Sequence, residues 1–240
     1  NDYYFNTKDI YDVDSDNNVQ ENVGISSEVL NLISPTSLIT LETISNYNDK
    51  NETTVAPNIA PIEKETKQAT INVSFTNNYS NTVSGIQILG KIPFEGNSYI
   101  LNGRDLKSKF TVSMASEGII IPQELVGKVS VYYSENENPT KDLLDENNGW
   151  KLKEDISDFT KIRTYFIDLN QNVIETGRGY TFNYVINIPE NLNYNISSYS
   201  NHAIYYELNT DGGKLALATE PNKVGVRISK KVDFELTKYK

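Results

Sequence analysis

A two-residue alternation of apolar and polar side chains recurs along this chain and constrains its fold more than any other feature. The clearest run is residues 69–75 (ATINVSF), where Ala, Ile, Val and Phe occupy every second position. Such alternation places one face of a β-strand in a core and the other face in water. The same period returns at residues 85–88, 128–133, 180–188 and 224–228. These runs predict strands along most of the chain.

The intervals between these runs contain turn residues rather than helical patterns. Gly, Asn and Asp cluster at residues 95–97, 147–149, 176–179 and 211–213. The spacing leaves no room for packed helices, and it disfavours alternating strands and helices of the parallel type. We therefore predict an all-β fold with little helix, an antiparallel β-sandwich of Ig-like or jelly-roll-like type.

Composition and charge narrow the function. The 240 residues include 16 Tyr and 8 Phe, which supply a core although the hydrophobic share is only 38%. The net charge of −10 disfavours nucleic acid and anionic lipid, and no apolar run approaches the length of a membrane span. We expect no nucleic-acid partner and no membrane insertion in this segment. The absence of Cys fits a reducing cytoplasm or a bacterial surface, and the Asn-, Tyr- and Thr-rich composition favours the surface.

The chain divides by composition into a leader and a folded part. Residues 1–23 alternate acidic and amide residues without an apolar period, which predicts a flexible acidic leader or linker. Residues 24–235 are predicted to form one large β-sandwich domain. An alternative makes residues 24–66 a separate small β unit.

Four segments resemble Ig-like repeats of Gram-positive, clostridial-type surface proteins and adhesins. They are NVSFTNNYSNTVSGIQILGKIPFEGN, VYYSENENPTKDLLDENNGW, YTFNYVINIPENLNYN and KVGVRISKKVDFELTKYK. The resemblance implies an extracellular β-sandwich repeated along a wall-attached protein. It also implies that residues 236–240 begin a following module.

One pair of residues is a candidate for a covalent crosslink. Lys67 is in phase with the apolar positions of residues 69–75, and Asn222 is in phase with those of residues 224–228, so both side chains are predicted to point inward. In adhesin and pilin sandwiches such a pair can form an isopeptide, because burial favours a neutral, nucleophilic amine. Asp168, among apolar neighbours, is the candidate assisting acid. The alternative is that Lys67 lies at a strand end and reaches solvent.

Two tyrosine pairs are candidates for a binding surface. In Tyr132-Tyr133 and Tyr205-Tyr206 the strand period turns one ring inward and the other outward. Outward rings at Tyr132 and Tyr205 would offer contact area and a polar tip to a sugar or a protein. The alternative is that these rings only cover the sheet.

Catalytic and cofactor sites are poorly supported. His202 is the only histidine and there is no Cys, which excludes Cys/His catalysis and the usual zinc sites. Residues 12–18 (DVDSDNN) are rich in oxygen ligands, but Asn17 and Val23 stand where an EF-hand needs Gly and an acid. A calcium site there is a weaker alternative to a solvated linker, and no cofactor is predicted.

These observations predict a non-enzymatic adhesin or ligand-presenting module at the cell surface. Its expected partner is a host matrix protein, a cell-surface glycan or a neighbouring surface module. The alternative is a structural stalk or spacer repeat with an internal Lys–Asn isopeptide.

Overall fold

The computed structural model describes residues 6–8, 22–24, 37–48 and 50–230. The chain divides into two compact units, Asn1–Ser34 and Pro35–Lys240. In the first unit, β1 (Asn6–Lys8) pairs antiparallel with β2 (Asn22–Gly24). The predicted calcium loop, the following module at 236–240 and most of the predicted leader lie outside the described residues.

The second unit consists of β-strands joined by turns and short 3₁₀ segments. The strands are β3 (Leu38–Tyr47), β4 (Lys50–Val55), β5 (Ile59–Glu63), β6 (Gln68–Asn77), β7 (Val83–Lys91), β8 (Ser113–Met114), β9 (Ser130–Ser134), β10 (Thr164–Asp168), β11 (Gly179–Asn187), β12 (Ser197–Thr210), β13 (Gly213–Thr219) and β14 (Val224–Ser229). The 3₁₀ segments are Gln123–Leu125, Glu146–Asn148, Lys153–Asp155 and Phe159–Lys161. No α-helix occurs among the described residues, so the predicted all-β class with little helix is confirmed.

The strands form two sheets that pack face to face. The larger sheet has the order β5-β14-β12-β7-β10-β9, with β13 also paired to β12, and the smaller has the order β4-β3-β6-β11-β8. The pairings are antiparallel except that of β14 with β5, where Val226 lies opposite Ala60 in a parallel register. The sandwich therefore matches the prediction, with one parallel pair at an edge of the larger sheet.

The alternating sequence pattern accounts for the core. In β6, Ile71, Val73 and Phe75 are buried while the intervening polar residues are partly exposed. The facing sheet contributes Tyr165, whose ring crosses Gly90 so closely that a Cβ at Gly90 would lie 2.0 Å from it. Glycine is required at residue 90 because the aromatic core occupies the space of any side chain.

Residues 38–63 contribute strands to both sheets. β3 pairs with β6 in the smaller sheet, and β5 pairs with β14 in the larger. These residues therefore do not form the separate small unit that was the alternative for residues 24–66. The domain boundaries after residue 23 and after residue 235 stay predictions.

Candidate functional site

The outer face of the larger sheet, which points away from the core, has a row of apolar side chains. Tyr132 lies opposite Phe166, Phe166 opposite Leu89, and Leu89 opposite Ala203. Phe166 and Leu89 are buried although they are on the outer side of the sandwich. Another layer of protein must therefore cover them.

Residues 135–150, here called the covering segment, provide that layer. The Trp150 ring lies 5.7 Å from the Phe166 ring, centroid to centroid. The Thr164 hydroxyl donates a hydrogen bond to the carbonyl oxygen of Asn136 at 2.9 Å. The covering segment is thus attached to the outer face by an aromatic contact and by hydrogen bonds from the sheet.

A buried asparagine organises the covering segment. The Asn148 side chain donates to the Thr140 hydroxyl and to the Asp142 carbonyl, each at 2.8 Å, and accepts from the Thr140 backbone N–H. The indole N–H of Trp150 donates to the Thr140 carbonyl at 2.9 Å. Side-chain bonds to backbone groups replace secondary structure in this segment, as expected for its Asn- and Asp-rich sequence.

A buried lysine lies beneath the covering segment. Lys91 is 4% exposed, and its Nζ donates to Asn138 Oδ1 at 2.7 Å and to Ser98 Oγ at 3.1 Å. Burial lowers the pKa of the Lys91 amine from its ordinary value, although the charges of Glu220 and Glu137 oppose that change. Lys91 is therefore a desolvated amine held against a carboxamide.

Two further polar groups accompany Lys91. Asn201 lies opposite Lys91 on β12, is fully buried, and its Oδ1 has no hydrogen-bond partner among the described residues. Burial raises the pKa of the Glu220 carboxyl above its ordinary value, while backbone N–H groups of Ile100 and Leu101 limit the rise. An amine of lowered pKa and a carboxyl of raised pKa are close enough to influence each other.

The outer face is open beyond the covering segment, around Tyr205. A cleft of about 460 Å³ is lined there by Gln87, Lys141, Gln171, Tyr205, Glu207 and Ala216, among others. The half-buried Tyr205 lies beside Gln87 on β7 and Ala218 on β13. The cleft therefore lies between the covering segment and the β12–β13 hairpin.

The cleft is lined by a cation, by amides, by a carboxylate and by the ring of Tyr205, among others. Lys141 Nζ lies 4.8 Å from the Tyr205 ring centroid and donates to Gln87 Oε1 at 3.0 Å. Lys214 pairs with Glu207 at 2.7 Å. Burial, and then the charge of Glu220, raises the pKa of the Tyr205 hydroxyl. Tyr205 is therefore an uncharged ring with a hydroxyl donor at neutral pH.

The single histidine is in the core and is not accessible. His202 is fully buried, with Nε2 2.6 Å from the Thr40 hydroxyl and Nδ1 3.6 Å from Glu42 Oε2. Glu42 Oε1 accepts from the Ser200 hydroxyl at 2.5 Å. A substrate has no route to this imidazole, so the cluster holds the two sheets together rather than forming an exposed triad.

The predicted crosslink requires the side chains of Lys67 and Asn222 to point into the core, and neither does. The Lys67 side chain is 67% exposed, with Nζ 2.5 Å from Glu190 Oε1, and Asn222 is also exposed, so the inward orientation predicted for both is wrong. Lys67 precedes β6, and its flexible side chain extends to solvent beside Glu190. Asp168 accepts hydrogen bonds from Gln87 Nε2 at 3.1 Å and from the Asn170 N–H at 2.6 Å.

The tyrosine pairs alternate as the strand period requires. Tyr133 and Tyr206 are buried, whereas Tyr132 and Tyr205 are half-buried on the outer face. The Tyr132 ring packs 6.2 Å from that of Phe166, beside the covering segment, whereas Tyr205 borders the open cleft. A role in ligand binding stays a prediction for both.

Sequence reasoning missed Lys91, although a signal for it exists. Gln87, Leu89 and Lys91 share one face of β7, and the alternation predicts that this face is solvated because Ile86 and Ile88 on the other face are apolar. The following covering segment, rich in Asn with a single Trp, was the available sign of an ordered layer over this face.

Two kinds of feature are absent from the described residues. No helix there is long and apolar enough to cross a membrane. In the same residues, no group of three or more His, Cys, Asp or Glu side chains is arranged to hold a metal ion.

Comparison with known proteins gives no family. No family model matches the chain, and no curated protein matches it. Among solved structures, it is similar to a type I cohesin of Pseudobacteroides cellulosolvens (6% identity, TM-score 0.39, 76% of this chain and 96% of that one). It is also similar to the collagen-binding domain of a Staphylococcus aureus adhesin (11% identity, TM-score 0.33, 80% and 99%) and the major pilin subunit of Bacillus cereus (8% identity, TM-score 0.37, 88% and 50%). These scores are low, and the likenesses carry no argument about what this chain does.

Proposed function

We propose that this chain is a non-enzymatic module of a bacterial surface protein that binds its partner in the cleft at Tyr205. The proposal rests on a difference between two parts of the outer face of the larger sheet. The covering segment closes one part of that face, and a cleft of about 460 Å³ with an aromatic ring remains beside it. Clefts that combine apolar surface with a few polar groups are the usual places for ligands.

The chemistry of the cleft suits a ligand with hydroxyl or amide groups. The Tyr205 ring offers a flat apolar surface, and Gln171 adds an amide that can donate and accept. Lys141 contributes a cation beside the ring. A cell-surface glycan, a host matrix protein or a neighbouring surface module presents such groups. Extracellular placement on a cell wall belongs to the proposal and rests on composition and on the absence of Cys.

Two observations favour binding without catalysis. The only histidine is buried in the core, away from the cleft surface. The cleft carboxylate Glu207 is already engaged by Lys214 at 2.7 Å. This arrangement does not supply the general acid and base that hydrolysis requires.

The test is binding of the 240-residue chain to immobilised matrix proteins and to a glycan panel, with and without calcium. Tyr205→Ala removes the ring while the cleft walls remain, and we expect it to weaken saturable binding at least about tenfold. Tyr194→Ala is the matched control, because Tyr194 is 41% exposed and does not line the cleft.

Equal loss of binding in the two tyrosine variants would contradict the proposed site, because a specific cleft cannot depend equally on a distant ring. No binding to any member of the panel would favour the spacer described next. Binding that needs calcium and ignores Tyr205→Ala would point to another part of the chain.

A structural spacer with an internal crosslink is the second candidate, and Lys91 is the observation that favours it. Its Nζ lies 2.7 Å from Asn138 Oδ1, and burial lowers its pKa. Attack of the neutral amine on the Asn138 carboxamide would form an amide between the two side chains and release ammonia. Glu220, whose pKa is raised, could transfer the proton to the departing nitrogen.

Intact mass spectrometry of the denatured chain tests the spacer candidate. A crosslinked chain would be lighter than the sequence mass by one ammonia, and Lys91→Arg would restore the full mass. Peptide mapping would distinguish the Lys91–Asn138 bond from the Lys67–Asn222 bond predicted from sequence. The full sequence mass in the unaltered chain would rule out both crosslinks.

A further inference from the structure

Among the described residues, the β12–β13 hairpin leaves one strand edge without a partner. β13 pairs with β12 through residues 204–210 and lies beside no other described strand. Thr210 and Gly213 flank a two-residue turn, and the Thr210 hydroxyl donates to the Gly213 carbonyl. In such a hairpin alternate residues bond to the neighbouring strand, so backbone groups of Lys214, Ala216 and Ala218 point away from β12.

The edge of β13 lacks the protection that another edge of the same sheet has. On β5, Pro61 has no N–H to offer. The Asn48 side chain donates to the Pro61 carbonyl and accepts from the Glu63 N–H, each at 2.7 Å. The β5 edge is therefore closed by proline and a side-chain cap. β13 (GKLALAT) has no proline and one charged residue, and no described side chain bonds to its outward backbone groups. An unprotected edge is a template for another strand.

We propose that β13 pairs with β13 of a second copy of this chain, antiparallel about a two-fold axis at Ala216. The axis places Ala216 opposite Ala216 and Lys214 opposite Ala218. Those three residues have the outward-pointing backbone groups, so every outward N–H in that stretch finds a carbonyl of the second copy. The two larger sheets would then continue across the interface.

The side chains of β13 suit a second copy in this register. Leu215, which is 52% exposed, would face Leu217 of the second copy, and the reciprocal contact would form across the axis. The only cation of the strand, Lys214, would face an alanine rather than another lysine, so no like charges oppose each other. The strand is thus self-complementary in hydrogen bonding, in apolar contact and in charge.

This pairing goes beyond ligand binding at Tyr205, and it is tested by oligomeric state. Sedimentation equilibrium of the 240-residue chain over a wide concentration range should show a reversible monomer–dimer equilibrium. Ala216→Pro removes both central N–H donors of the dimer and should lower the association constant at least about tenfold. Ala216→Ser is the matched control, because it keeps the N–H and a small side chain, and its association should equal that of the unaltered chain.

A cysteine variant reports the register directly. The chain has no Cys, and residues in a hydrogen-bonded antiparallel pair have Cα atoms about 5.5 Å apart, within disulfide range. Ala216→Cys should therefore oxidise to a covalent dimer faster than Leu144→Cys, which places a thiol at a side chain that is 90% exposed elsewhere.

Three results would overturn the proposal. The chain could remain monomeric at every concentration. A dimer could persist unchanged in Ala216→Pro while far-ultraviolet circular dichroism shows a native fold. Ala216→Cys and Leu144→Cys could crosslink at the same rate. If Ala216→Pro fails to fold, Ala216→Lys serves instead, because two lysines at the axis should dissociate the dimer.

Discussion

The covered and open parts of the outer face differ although β7 and β12 run through both. Under the covering segment, Phe166 is fully buried and Lys91 is 4% exposed. Gln87 and Tyr205, which lie two residues from Leu89 on β7 and from Ala203 on β12, border an open cleft. Neither the strand pattern nor the sheet explains the difference, because both parts face away from the core. Burial on this face is decided by where residues 135–150 lie.

The largest expected effect concerns the covered part. Phe166→Ala should lower the free energy of unfolding by about 3–5 kcal/mol, because it leaves a cavity between Leu89 and Trp150. Urea denaturation measures this value, and Tyr205→Ala in the open part should change it by less than about 1 kcal/mol. Similar losses of unfolding free energy in the two variants would contradict the difference in packing between the covered and open parts.

A smaller effect is expected when the covering segment loses its ring. Trp150→Ala removes the contact with Phe166 and the indole donor to Thr140, and should cost about 1–2 kcal/mol. Amide hydrogen exchange should speed up in residues 135–150 more than in β7. Unchanged exchange there would mean that the hydrogen bonds of Asn148 hold the covering segment without the indole.

The third prediction concerns pH and Lys91. Burial lowers the pKa of Lys91 in the folded chain below its value of about 10.5 in the unfolded chain. The contribution of Lys91 to the free energy of unfolding is therefore largest above the unfolded pKa, and it is lost as the pH falls through the folded pKa. Lys91→Met should therefore be more stable than the unaltered chain at pH 7, by about 1 kcal/mol.

Thermal unfolding from pH 7 to pH 10.5 tests this expectation. The difference in stability between Lys91→Met and the unaltered chain should shrink as the pH rises. Lys67→Met is the control, because the Lys67 side chain is exposed and its removal relieves no burial. A Lys91 already joined to Asn138 would not titrate. In that case the pH dependence would be missing and the mass would be lower by one ammonia.

The smallest effect is expected in the open part. Lys141→Ala removes a cation at 4.8 Å from the Tyr205 ring and should reduce stability by less than about 1 kcal/mol. Ligand binding should change more than stability, because the ammonium group borders the cleft. A stability loss as large as that of Trp150→Ala would show that Lys141 helps the covering segment to bury the outer face.

Much of the fold was predictable, but the burial of particular polar residues was not. The alternation at residues 69–75 predicted β6 and its buried face, because a strand turns successive side chains to opposite sides. The same reasoning placed Lys67 inward by extending the period past the end of the strand. It left Lys91 unnoticed because an outward position was taken to be solvated. Both errors come from applying a local rule where long-range packing decides.

The sequence by itself determined the all-β class, the positions of the principal strands and the inward and outward rings of Tyr132-Tyr133 and Tyr205-Tyr206. These features depend on the period of a single strand, which is written in neighbouring residues. Tertiary structure alone decided that Lys91 lies beneath Asn138, that Tyr205 borders a cleft, and that β13 is an open edge while β5 is capped by Asn48. Those features depend on segments far apart in the chain meeting in space, and no local pattern specifies which segments meet.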